Sequence, residues 1–304
     1  MLKSIALFIL FSLCLLFNIA YADAQKNSIG HFSQLTQFTK QLGDPHKTLV
    51  VLDSDDTIIK MPCSDPLNPK QCQYLGGPAW FDWQSSLPAN SSEKIASSFN
   101  ELLLDENIMM AVSNMVYTES SVPKTLMALK KQGAIFLVET ARNSNYSNNT
   151  NRQFAALKVN KNFSLSQFFA ENSLIGLNNL PSLPSPYAPC GDKNARPVRY
   201  ESGILYLAGQ DKGKMLHCFL KTVHANQIQN IIFLDDEQKN ADSVYNAFKN
   251  DKQYHVISLH YRAMDQHKKN FTQSKLASAY QLEATLRWQK INTVLKKELL
   301  MPAV

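Results

Sequence analysis

Four short apolar runs, rich in β-branched residues, set the strongest limit on the fold: residues 49–52, 134–138, 231–234 and 256–259. Runs of this length suit strands buried on both faces of a parallel sheet. Between them the apolar spacing becomes helical. Residues 123–132 place Leu126 and Leu129 on one face, start with Pro123 in the first turn and stop at Gly133. Residues 238–248 repeat the pattern with Ala241, Val244, Tyr245 and Phe248. This alternation predicts an α/β fold, a mostly parallel sheet with helices on both faces.

Two regions break the alternation. Residues 61–120 open with Pro, Cys, Gly and Trp, including Trp80-Phe81-Asp82-Trp83-Gln84, and read as an inserted cap whose aromatics pack. A helix is predicted from Asn90, with Glu93 three positions on as a capping box. Residues 172–200 hold several prolines around Cys190 and predict a long loop, followed by a hairpin-like run at 203–207. Near the end, Leu282, Leu286, Ile291, Val294 and Leu295 recur at helical spacing and predict a helix packed on the core. The expected division is a signal peptide at 1–22, a first core segment at 23–60, and the cap at 61–120. The rest of the core follows at 121–262, then a helical extension at 263–304.

The start of the chain predicts export. Lys3 precedes an apolar stretch over 5–19, and Ala20-Tyr21-Ala22 supplies a small-x-small cleavage pattern, with Ala22-Asp23-Ala24 as a second choice. No later stretch is long enough to span a membrane, so none is expected after cleavage. Of five cysteines, Cys14 would leave with the signal. Cys63, Cys72, Cys190 and Cys218 remain, an even number that in an exported chain predicts disulfides with three possible connectivities. Cys63 with Cys72, closing a small loop, is the first choice. Zinc is disfavoured, because no Cys-x-x-Cys or paired histidine accompanies them. The charge of +6 is scattered, and no basic run interleaves with aromatics, which argues against nucleic-acid binding.

The chemistry concentrates at strand ends. Asp53 and Asp55 follow the first run two residues apart, a spacing that turns both carboxylates to one side in extended backbone. Ligands of open α/β sheets bind beyond the carboxyl ends of the strands. Close carboxylates call for a hard divalent cation, and Mg²⁺ with substrate phosphate is the usual solution. Asp235-Asp236 ends a second run, with Asn240 four residues after Asp236. Thr140 ends a third and offers a hydroxyl and an N–H to an anion. Lys212 sits in a predicted first helical turn, against the helix dipole, as a partner for phosphate or carboxylate would explain.

Taken in order, these pieces resemble the four motifs of the haloacid dehalogenase-like superfamily, over residues 47–260. Asp53-x-Asp55-x-Thr57 is similar to motif one, Thr140 to motif two, Lys212-Gly213 to motif three and Asp235-Asp236 with Asn240 to motif four. Residues 80–84 and 200–216 further resemble a bacterial group of exported members of unassigned function. The resemblance implies a Rossmann-like core with a cap between motifs one and two, and Mg²⁺-dependent hydrolysis of a small phosphorylated substrate. Asp53 would be the nucleophile and Asp55 the general acid and base, while Lys212 and Thr140 would stabilise the phosphoryl oxygens. Mg²⁺ would be held by Asp53, the main-chain carbonyl of Asp55 and Asp236, with Asp235 beside them. Asp56 departs from the commoner glycine of motif one, Lys214 competes with Lys212, and Asn240's spacing favours Asp236 over Asp235. An inactive binding protein and a phosphotransferase with an alcohol acceptor are the alternatives.

Overall fold

The structure is a computed structural model that describes residues 24–175, 183, 188–191 and 195–299. The expected signal peptide at 1–22, with Cys14 and Ala20-Tyr21-Ala22, lies outside the described residues.

The main sheet is built from β1 (Ala24–Ile29), β2 (Thr48–Leu52), β5 (Ile135–Thr140), β6 (Arg199–Glu201), β7 (Ile204–Tyr206), β8 (Asn230–Asp235) and β9 (His255–Tyr261). Their spatial order is β1-β9-β8-β2-β5-β7-β6, and only the β6–β7 hairpin is antiparallel. All five residues of β2 are buried, because it runs between β5 and β8 with helices on both faces. Side chains alternate across the sheet. Val50, Leu52, Phe136, Val138, Ile232 and Leu234 pack with helices α1 (Leu35–Gln41), α4 (Val122–Gln132), α5 (Ser147–Ala156) and α6 (Leu165–Asn172). Leu49, Val51, Leu137, Ile231 and Phe233 pack against α7 (Lys212–Thr222) and α8 (Gln238–Phe248). The α/β Rossmann-like class expected from the four runs is the class observed.

This topology creates the site. From β2 the chain moves outward through β5 and β7 with α4, α5 and α6 on one face. It then returns to the other side of β2 through β8 and β9, with α7 and α8 on the opposite face. The direction reverses at the carboxyl end of β2, where adjacent loops diverge and leave a crevice.

The strand β1 is absent from the sequence expectations for a physical reason. Its middle four residues are exposed and polar and only its ends, Ala24 and Ile29, enter the core, so it pairs with β9 without leaving an apolar run.

The chain leaves the core through β3 (Ile59–Lys60) and returns through β4 (Val116–Tyr117), which pair antiparallel at the stem of an inserted unit. That unit holds the Cys63–Cys72 disulfide, α2 (Pro78–Ser86) and α3 (Phe99–Val112). The helix expected from Asn90 begins instead at Phe99. Ser98 caps it by accepting from the Glu101 N–H, and Glu101 reaches back to the Ser97 N–H. The 90–95 stretch stays irregular because the buried Gln84 amide accepts from the Ile95 N–H and donates to the Glu93 carbonyl. Its polar backbone is satisfied without a helix. A second disulfide, Cys190–Cys218, ties a loop residue to α7.

The C-terminal helices correct another expectation. Helix α10 (Ala277–Glu298) buries the predicted apolar stripe only in part: Leu282, Leu286 and Val294 are 57%, 41% and 58% exposed, while Ile291 packs half-buried. It buries Tyr280, Ala284 and Trp288 instead, at four-residue spacing. These join Tyr74, Trp80 and Leu102 of the inserted unit, and Phe271 of α9 (Asp265–Thr272), in one cluster. Bulky aromatic side chains fill that space better than leucines, and they decide which face turns inward. The helix therefore packs on the inserted unit rather than on the sheet core. Trp80 and Trp83 pack as expected of cap aromatics, Trp80 fully buried and Trp83 edge-on to Phe271 at 5.7 Å. Trp288→Ala is expected to cost about 3–5 kcal/mol locally. Limited proteolysis checks it: cleavage should accelerate within 61–115 while the sheet core stays resistant.

Candidate active site

The backbone turns sharply after β2. Ser54 accepts at its carbonyl from the N–H groups of Ile58 and Ile59, and Asp56 lies in the left-handed region at φ 56°. That conformation favours glycine and is tolerated by aspartate, which explains the glycine commonly found at this place in the resembled motif. The turn brings Asp53 and Asp55 into the lining of a cleft of about 400 Å³.

Asp53 is 6% exposed and receives the Lys212 ammonium at 2.5 Å. The same ammonium reaches Asp235 at 2.6 Å. Burial by itself would lower Lys212, but Asp235, Asp53 and Glu139 outweigh it and hold the ammonium above its ordinary pKa. Lys214 lies exposed, outside the cleft. Asp211 caps α7 by accepting from the Lys214 N–H, so the first helical turn that carries Lys212 is rigidly started.

Gly213 lets this turn lie against α8. A Cβ there would sit 2.3 Å from the Ser243 carbonyl oxygen and 2.6 Å from its carbon, both backbone atoms that cannot swing away. Gly213→Ala should push α7 outward and carry Lys212 with it. Such overpacking is expected to destabilise the fold by about 1–3 kcal/mol, and a melting curve beside that of the parent protein tests this.

Asp235 and Asp236 end β8 in two different networks. Asp235 is fully buried and accepts from Lys212, the Glu237 N–H and the Asn240 amide, the last two at 2.9 Å. Asn240 thus serves Asp235, and its four-residue spacing does not single out Asp236. Asp236 accepts from the Thr57 hydroxyl at 3.2 Å, which in turn accepts from the Asp236 N–H. Its other oxygen meets Lys268 of α9 at 2.8 Å, and Lys268 also holds the Asp236 carbonyl and Glu237. Burial and then Asp235 push Asp236 up to about 7. Burial likewise raises Asp53 well above the carboxylate range, with Lys212 opposing. Among the described residues, Asp53, Asp235 and Asp236 form one buried group whose ligand oxygens lie within 4.8 Å of one another. Three hard oxygen donors this close fit a small divalent cation.

The Asp55 carboxylate stands apart from that group. Both of its oxygens are gripped by Arg142, from Nε at 2.8 Å and from the second guanidinium nitrogen at 2.6 Å. Thr150 and Gln153 of α5 hold the remaining side of the guanidinium at 2.9 and 2.8 Å. Thr140, 1% exposed, lines the cleft and accepts from the Arg142 N–H at 3.3 Å. The neighbouring Glu139 points to the opposite face of β5, fully buried, with neither carboxyl oxygen hydrogen-bonded. Burial raises it well above the ordinary range, the neutral form that such a site requires.

The cleft thus brings together Asp53, Asp55, Thr140, Lys212, Asp235 and Asp236. Arg142, Lys268 and most of the cleft's roof were not singled out from sequence. Arg142 follows Thr140 directly, but its partner Asp55 is 87 positions away. Lys268 lies in the segment read as an extension. The roof residues Phe81, Phe99, Leu103, Glu106, Met110 and Tyr146 have no spacing signature.

A crystal structure of cytosolic 5′-nucleotidase IIIB bound to cytidine is similar at 14% identity and a TM-score of 0.36, covering 86% of this chain and 93% of that one. No curated protein matches the sequence significantly. Residues 28–300, nearly the whole chain, match the family described as "Protein of unknown function (DUF2608)", and the chain belongs to that family.

Proposed function

We propose that this protein is an exported, Mg²⁺-dependent phosphohydrolase of the haloacid dehalogenase-like type, acting through an aspartyl-phosphate. The observation that carries this reading is the separation of two nearby carboxylates into different environments. Asp53 sits in the acidic group with Lys212, and Asp55 is clamped by Arg142. Such separation is how one site supplies both a nucleophile and a proton carrier.

In the first step an Asp53 oxygen bonds to phosphorus as the bond to the leaving oxygen breaks, and Asp55 delivers a proton to that oxygen. Each Asp55 oxygen accepts from Arg142 and keeps a lone pair for the proton. In the second step Asp55 takes a proton from water, the water oxygen bonds to phosphorus, and the Asp53–phosphorus link breaks. Lys212 and the Thr140 hydroxyl stabilise the equatorial oxygens in both steps. Mg²⁺, held by Asp53, the main-chain carbonyl of Asp55 and Asp236 with Asp235 beside them, would add positive charge against the phosphoryl group. Export is supported by the disulfides Cys63–Cys72 and Cys190–Cys218, which persist in oxidising compartments.

The test is release of phosphate from an aryl phosphate by the mature protein, with Mg²⁺ and with chelator, and with an added alcohol. Mg²⁺-dependent release is expected. Phosphorylated alcohol as the main product would make the protein a phosphotransferase, and no turnover across a broad phosphoester panel would make it an inactive relic.

A further inference from the structure

The floor of the cleft reads phosphate, and its roof carries a different chemistry. Glu106 projects from α3 into the cleft and is only partly shielded from solvent. One of its oxygens lies 3.1 Å from the Tyr146 hydroxyl. That hydroxyl has a single hydrogen and a second acceptor, the Leu103 carbonyl at 2.9 Å, so it does not satisfy both. Among the described residues no lysine, arginine or histidine forms an ion pair with Glu106. Of the cations lining the cleft, Lys239 lies exposed and makes no ion pair with Glu106. Arg142 is held by Asp55, Thr150 and Gln153, and Lys212 by Asp53 and Asp235. Arg196, across the cleft, donates to the Gly209 carbonyl.

The surroundings of Glu106 are aromatic. Phe81 and Phe99 meet edge-to-face at 5.9 Å and both line the cleft, with Phe99 57% exposed. Leu103 and Met110 continue the apolar wall, and Asp82 stands exposed at the rim. Aromatic faces beside an unpaired carboxylate are how proteins hold organic cations, through ring quadrupole and ion pair together. Burial, opposed by the Tyr146 hydrogen bond, pushes Glu106 up to about 7. A cation beside it would restore its charge.

We propose that Glu106, with Phe81 and Phe99, makes this a site for phosphomonoesters whose leaving alcohol carries a cationic nitrogen, such as an amino alcohol or a quaternary ammonium alcohol. The inference rests on the phosphohydrolase reading. Phosphate occupies the floor over Asp53, and the cation lies under the roof. Hydrolysis then releases the cationic alcohol, protonated on oxygen by Asp55, and inorganic phosphate.

The experiment compares kcat/KM, with Mg²⁺, for phosphocholine, its uncharged carbon isostere 3,3-dimethylbutyl phosphate, and an aryl phosphate. The cationic ester is expected to exceed its isostere by about tenfold or more. Glu106→Gln, which keeps shape and hydrogen bonding, should bring that ratio towards one, and Phe99→Leu, at an exposed position, should reduce it partway. Aryl phosphate turnover without preference for the cationic ester overturns this inference and leaves the phosphohydrolase reading standing. A preference that survives in Glu106→Gln overturns the role of Glu106. Absence of turnover on all three esters overturns both readings.

Discussion

Asp53→Asn is expected to abolish phosphoester hydrolysis, lowering kcat by roughly 10⁴-fold or more, while the protein stays folded. The amide has the shape of the carboxylate but no oxygen able to form a stable acyl phosphate. Lys212 retains Asp235 at 2.6 Å, so its charge is not stranded. The substitution also removes one carboxyl from a group in which burial already opposes ionisation. The melting temperature should therefore hold or rise. Turnover and a melting curve on the same preparation check both halves. A rate equal to that of the unsubstituted protein would falsify the nucleophile assignment.

Lys212→Met should damage both chemistry and stability. The ammonium is 2% exposed and lies between two buried carboxylates. Removing one member of a buried ion pair costs about 3–5 kcal/mol, because the remaining charges lose their counterion. Here Asp53 and Asp235 would both be left, with Asp236 close by. A divalent cation bound to the same oxygens would replace part of the missing charge. Mg²⁺ should accordingly stabilise the variant more than the parent, in proportion to its binding to the folded state. The chemical step should still fall by roughly 10²–10³-fold, since the proposed role of Lys212 toward the phosphoryl oxygens would be lost. Denaturant titrations with and without Mg²⁺, beside single-turnover rates, measure each effect. Unchanged stability in metal-free buffer would remove the argument that Lys212 neutralises the acidic group.

The legible part of the site shares one property: each residue sits at the carboxyl end of a strand or the first turn of a helix. Asp53, Thr140 and Asp235-Asp236 end or follow β2, β5 and β8, and parallel register aligns those ends. Once residues 49–52, 134–138 and 231–234 read as neighbouring buried strands, their end residues are brought together without further information. Lys212 was legible because a lysine at a helix start opposes the dipole. Other features answered to forces with no local trace. β1 pairs through its backbone, and the helix read at Asn90 lost its start to the Gln84 side chain. The leucines of α10 yielded to Tyr280 and Trp288, whose volume matched a space formed by residues some 200 positions earlier.

Sequence alone therefore determined the four buried strands of the sheet and the set of acids, threonine and lysine gathered at its switch point, because strand period and chain direction are local properties. Tertiary structure decided which charges compensate which. It gave Arg142 to Asp55, Lys268 to Asp236 and Asn240 to Asp235, and it left Glu106 without an ion pair under the aromatic roof. Electrostatic pairing depends on distance in space and on exclusion of water, and neither is set by position along the chain. The separate environments of Asp53 and Asp55, only two residues apart, are the sharpest product of that decision.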